Sequence, residues 1–268
     1  MTGELPSWEG EQIPVPFSVA REAGCIRRTR RILDYTPDTE NAKFAEHFLT
    51  EMDKNRSLIP TDRLITLENI DDGVVCNVCA GHKANEALGR VLSVLISARY
   101  GTTVGLELDA YRILLRLPFD IRAADVRDFL LSLDPAHMPG VIRLALKRTA
   151  LFKWKLVQIA KKFGAIDPDA DYEKISIQRL LEFFDNTVVQ QEAYRELLSE
   201  YMDIGTAASI VQLIRDGDIR VELGPHSLIG AGGLLSSRDQ IPPPTADQAV
   251  LSTLRRRLDQ DDVLLCCM

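Results

Sequence analysis

Between Arg63 and Tyr100 two short apolar stretches, RLITLENID and VVCNVCAG, flank an Asp72-Gly73 pair, and a long apolar helical pattern follows. An Asp-Gly pair between strand-like runs is a hairpin signal, because glycine tolerates the backbone twist that a tight turn demands. The rest of the chain must be arranged around that hairpin. The predicted strands are 63–71 and 74–81. Gly81 lets the second strand end sharply, and Asn85 is suited to cap a helix running from about 85 to 100. TTVGLELDA and YRILLRLP (102–118) supply two more strands. The second reads as an inner strand, being β-branched, aromatic and leucine-rich up to Pro118.

Helical periodicity dominates elsewhere. Upstream it covers 17–33, weakened at Gly24, and then a helix capped by Asp38 or Thr39 that runs to about Lys54. From Ala123 onward the helical segments are 123–133, 139–149, 151–163, 176–186, 188–202 and 206–216. A short strand IRVEL (219–223), a Gly-, Ser- and Pro-rich loop (224–244), a helix TADQAVLSTLRRRLDQ and a last apolar strand DDVLLCCM complete the pattern. The expected fold class is therefore α+β: a small mixed β-sheet subdomain with helices (1–135), a helical bundle (136–217), and a C-terminal segment (218–268) that returns to the sheet. A terminus inside an apolar strand, and the lack of any G-x-x-x-x-G-K-[ST] loop, suggest a piece of something longer.

Cys76, Cys79 and His82 invite a metal or redox reading. Strand side chains alternate, so positions three apart face opposite sides of the sheet and cannot converge on one ion. Two small buried hydrophobes is the simpler reading. The turn after Cys79 is more suggestive. His82, Lys83 and the free amides of a helix's first turn cluster at its positive end, where an anion such as a phosphate is favoured.

Composition sets outer limits. No apolar run is long enough to span a membrane. The acidic, polar start is no secretory signal, and an odd count of five cysteines argues for a reducing, cytoplasmic setting over a disulfide framework. The net charge of −7 argues mildly against nucleic acid, but its distribution is uneven. From Arg143 to Ala165 there is no acid, while Arg143, Lys147, Arg148, Lys153, Lys155, Lys161 and Lys162 are all basic. Acids dominate from Asp167 to Glu200. Either the first block forms a basic face, or the two blocks neutralise each other across a helix pair. In LFKWKLVQIAKKFGAI, Trp154 with its neighbouring lysines suits base stacking beside phosphates. Alternatively Trp154, Leu156, Ile159 and Phe163 form a core stripe, with the lysines exposed as its wet flanks. Trp8, in a loop marked by Pro and Gly, has less core to enter. RRTRR (27–31) and RRR (255–257) read as solvated helix faces. His47, His82, His137 and His226 lie in separate segments, and neither H-E-x-x-H nor G-x-S-x-G occurs, so no catalytic set is expected.

LPSWEGEQIPVPFSVAREAG, CAGHKANEALGRVLSVLISARYG, FKWKLVQIAKKFGAI and AYRELLSEYMDIGTAASIVQLIRDGDIRVE, in that order, resemble the C-terminal part of the large helicase-related (Lhr) family, its archaeal Ski2-like branch above all. The resemblance runs from about residue 4 to the end. It implies a superfamily 2 ATP-dependent helicase that moves 3′ to 5′ on single strands, with this part following two motor domains and a winged helix. It implies that ATP and Mg belong to the absent motor, that this part has no cofactor or hydrolysis of its own, and that its partners are single-stranded DNA or RNA and the other domains of the same chain. In the family a tryptophan of this domain stacks on the tracking strand, and Trp8 matches it from its SWEGE context. Family tails look similar to a C-x-x-C ending, but Cys266 and Cys267 stop short of one, so no metal site is carried over. The competing reading is a scaffold that docks the motor or a partner and touches no nucleic acid. A free-standing enzyme with a site around His82 and Cys79 is the weakest alternative.

Overall fold

The computed structural model describes residues 14–231 apart from 56, 119, 148 and 168–176. Its framework is a five-stranded sheet in the order β3-β4-β2-β1-β5. β1 (Leu64–Ile70) and β2 (Gly73–Asn77) form the expected hairpin. Its tip is one residue earlier than the Asp-Gly reading, because Gly73 pairs with Ile70 and leaves Asp71 and Asp72 as the turn. Gly73 serves a different need: a Cβ there would collide with the carbonyl oxygen of Leu115 on the neighbouring strand. β4 (Arg112–Arg116) lies between β2 and β3 (Gly105–Leu108), antiparallel to both, so it is the inner strand its composition suggested. β5 (Arg220–Gly224) returns to the sheet and pairs parallel to β1, Leu64 opposite Arg220.

One face of the sheet carries Ile65, Leu67, Val74, Cys76, Ile113 and Leu115 into the main core. α3 (His82–Tyr100) lies across that face, with α4 (Ala123–Ser132), α5 (Met138–Lys147) and α9 (Ile204–Arg215) packed around it. The same apolar cluster continues without a break into α6 (Ala150–Lys162) and α8 (Val188–Tyr201) through Phe152, Leu156, Ala193 and Leu197. α7 (Ile177–Phe183) adds Leu181. Phe152 and Tyr194 stack with ring centroids 4.3 Å apart, closing the α6–α8 seam.

α1 (Phe17–Thr29) ends four residues before the predicted boundary, where Arg30 adopts a left-handed conformation (φ 61°). α2 (Thr39–Lys54) starts as expected, with the Asp38 carboxylate accepting from the amides of Glu40 and Asn41. α3 begins at His82, three residues before the predicted cap. Asn85 is fully buried instead, and its Nδ2 donates to the carbonyls of Val78 and Asp109, joining the end of β2 to the β3–β4 turn.

The opposite face of the sheet is polar at its centre. Glu68, 1% exposed, accepts from Asn77 Nδ2 at 2.8 Å, Ser227 Oγ at 2.7 Å and the Ser227 amide at 2.8 Å. This knot orders part of the predicted loop and seats a short helix, α10 (Leu228–Ala231), against β2. The remainder of the predicted loop, the predicted helix bearing Arg255 to Arg257 and the predicted last strand with Cys266 and Cys267 fall on residues outside the described ones.

Candidate nucleic-acid interface

The two cysteines of the hairpin go separate ways. Cys76 sits in the core between Leu67 and Ile113, and burial pushes its thiol up to about 12. Cys79 lies beyond the end of β2, receives a 3.5 Å contact from Arg27 Nη1 and is also pushed up by burial, against the nearby Arg27 charge. Neither is poised as a thiolate, the form that binds metals and attacks disulfides. Among the described residues no group of three or more His, Cys, Asp or Glu is placed to hold a metal ion.

The anion site expected at the start of α3 is covered. Gly81 (φ 81°) brings the backbone of Val15 to Phe17 so close that a Cβ would meet it at about 2.8 Å. His82 clasps that strap twice: its amide donates to the Val15 carbonyl, and its Nδ1 accepts the Val15 amide at 3.0 Å. Lys83 turns away and donates to the Ser199 carbonyl near the end of α8, the negative pole of that helix. The positive end of α3 is thus spent within the chain, a contact of high sequence separation that local pattern reading had no means to anticipate.

The α6 region splits the expectations. Thr149 caps the helix through the Phe152 amide. Phe152, Leu156 and Ile159 are buried, while Trp154 is 46% exposed and Phe163 54% exposed. The core-stripe reading fails for Trp154 for a geometric reason: at 100° per residue it lies on the far side of the helix from Leu156. Phe163 has the right angle but falls at the helix end, past the packed seam.

The lysines are not uniformly exposed. Lys155 is 8% exposed, its Nζ 2.9 Å from Glu200 and 3.4 Å from Glu196. The hydrogen bond to Glu200 raises its pKa against the opposing effect of burial, and the same bond holds the Glu200 carboxyl below its ordinary value. Lys162 also reaches Glu196, and Lys147 reaches Asp185 at 2.7 Å. The acidic block therefore neutralises much of the basic block across the α6–α8 pair, as one of the two charge readings held. Lys161 has an interaction of its own. Arg143 is exposed and Lys153 half-buried, and no carboxylate among the described residues pairs with either. Trp8 and Arg148 lie outside the described residues.

Sequence reasoning set aside RRTRR (27–31) as solvated. The structure holds Arg27 and Arg28 of that run against the segment leading into β1. Gly24 packs so tightly on Asp62 that a Cβ would collide with its amide. Arg28 makes a two-pronged pair with Asp62, at 2.7 and 3.0 Å. Arg27 donates to the Pro60 carbonyl and lies 5.6 Å over the Tyr111 ring. The signal that would have found this arrangement was Gly24, read at first only as a helix weakness.

Residues 59–226 match the DEAD/H associated family. The chain belongs to that family. Among curated proteins, this DEAD/H associated chain is 24% identical over 257 residues to the ATP-dependent helicase Lhr-Core of Sulfolobus acidocaldarius, covering 84% of the chain and 29% of that helicase. It is 25% identical over 233 residues to the Lhr-Core helicase of Methanocaldococcus jannaschii, covering 79% of the chain and 27% of the relative. The chain thus spans under a third of the length of these relatives. Among solved structures its fold matches Mycobacterium smegmatis helicase Lhr bound to ssDNA and AMP-PNP, with a TM-score of 0.62 and 18% identity over 93% of this chain and 33% of that one. The Lhr resemblance read from the sequence and the α+β fold class are both upheld. Among the described residues no helix is long and apolar enough to cross a membrane.

Proposed function

We propose that this chain is the C-terminal accessory nucleic-acid-binding domain of an ATP-dependent helicase. It guides a single strand of DNA or RNA during 3′ to 5′ translocation and unwinding. The motor and winged-helix domains of the same polypeptide bind ATP and Mg and perform hydrolysis. The observation that carries this reading is a fold shared over 93% of the chain with a helicase captured on ssDNA. The outer face of α6 supports it: exposed Trp154 offers a stacking surface next to Lys153, and on α5 the exposed Arg143 has no carboxylate partner among the described residues. A single aromatic platform with few free cations suits sequence-tolerant contact whose main phosphate anchoring comes from the motor. Trp8 is assigned base stacking by the family resemblance alone.

The test is fluorescence anisotropy of labelled single strands with the 268-residue chain at two salt concentrations. Binding should weaken as salt rises, and Trp154→Ala and Trp8→Ala should each cost ~1–3 kcal/mol if the ring stacks on a base. One observation favours a second reading, that of a docking scaffold. Phe44, Leu144 and Phe183 are each at least 70% exposed while Lys147, Lys155 and Lys162 are neutralised by carboxylates. No strand binding even at low salt, with association to the separately expressed motor, would replace the first reading by the second.

A further inference from the structure

We infer that Arg21, Arg27 and Arg63 form a phosphate-binding site for the backbone of a nucleic-acid strand, at the groove under α1. The inference rests on the proposed strand-binding role and gives it a contact surface away from α6.

The groove lies between α1, the start of β1, the residues just after β2, and α9 with the turn that follows it. Phe17, Arg21, Thr61, Asp62, Cys79 and Ile219 are among its walls. Arg21 is exposed at its rim and lies 5.6 Å over the Phe17 ring, so an aromatic face holds the guanidinium while its donors stay free. Arg63 is exposed in the segment that supplies Thr61 and Asp62 to the wall. Arg27 is fixed behind them by the Pro60 carbonyl, Cys79 Sγ and the Tyr111 ring, none of which carries a negative charge while the thiol stays protonated.

Charge compensation decides what the groove attracts. Asp62 is a wall of the groove, but both of its oxygens accept from Arg28. Asp109, the other carboxylate acting on Cys79, is held by Arg112. Among the described residues no carboxylate pairs with Arg21, Arg27 or Arg63, and their charge is left for a ligand. Guanidinium forks match phosphate oxygens in pairs, and Arg21 in the groove wall, with Arg27 and Arg63 next to the wall residues Cys79 and Asp62, suits a strand backbone. Holding Gly24 against Asp62 fixes the spacing of Arg21 and Arg63 before any ligand arrives.

The experiment uses the whole 268-residue chain and oligothymidylate in which single phosphodiesters are replaced, one position at a time, by uncharged methylphosphonates. The wild type should lose affinity at one or two linkages. In Arg21→Ala and Arg63→Ala that loss should vanish at the linkage each arginine meets. Each variant should also lower the slope of log affinity against log salt by about one. Both residues are exposed, so folding should be unaffected, and a matched circular dichroism melt checks this. A wild type that binds with an unchanged pattern and slope in both variants overturns the groove and leaves the proposed function standing. A wild type that binds no strand overturns both.

Discussion

Across the α6–α8 seam Lys155 and Lys162 lie against carboxylates of the following acidic block, and at the end of α5 Lys147 reaches Asp185 of the same block. Under α1, Arg28 pairs with Asp62 and Arg63 acts on it through charge alone, while Arg21 shares the groove wall with it and Arg27 is held by Pro60 and Cys79. The first region looked like the cationic surface when the chain was read in line, and the second like ordinary solvated charge. Charge density along a sequence does not report charge available to a ligand. Pairing across helices does, and that is set by the fold.

The largest expected effect breaks the α1 side. Gly24→Val places two extra branches against the Asp62 backbone and should cost about 1–3 kcal/mol in urea unfolding, the range for overpacking a tight contact. The same variant should blunt the salt dependence of strand binding, because it moves α1 off the segment bearing Arg63. Unchanged stability would mean that α1 is not seated there.

A second variant sharpens the α6–α8 side. Glu196→Gln with Glu200→Gln removes the partners of Lys155 and Lys162. If neutralisation is what silences those lysines, the salt slope of strand binding should rise by about one to two, one for each freed cation that meets a phosphate. An unchanged slope would place this face out of reach of the strand.

The smallest effect concerns pH. Burial would push the Asp62 carboxyl up, but the Arg28 guanidinium bonded to it holds it below the usual range. A lowered native value contributes stability above the ordinary carboxylate value of about 4, and that contribution is lost as pH falls through the native value. In Arg28→Ala the burial penalty on the charged form is opposed only by the backbone amide of Asp62 and the charge of Arg63. The stability gap between the wild type and Arg28→Ala should therefore be widest near neutrality and narrow steadily in acid, as urea midpoints at several pH values will record.

The hairpin, the inner strand β4 and the order of helices were legible because each rests on local periodicity, turn chemistry or burial of a continuous apolar run. What was not legible depended on partners far away in sequence. Asn85 resembled a cap, yet its amide bridges β2 to the β3–β4 turn. His82 and Lys83 resembled an anion site, yet the strap at Val15 and the end of α8 occupy them. Trp154 is the exception. Its exposure follows from helical geometry alone, and counting its angle from Leu156 would have recovered it from the sequence.

The parallel pairing of β5 with β1 has a consequence for biosynthesis. Leu64 emerges from the ribosome long before its neighbour Arg220. Until then β1 presents an unsatisfied ladder edge, open to the same edge on another nascent chain. A version of this polypeptide cut just before β5 should therefore collect in inclusion bodies even with α3 and the bundle intact.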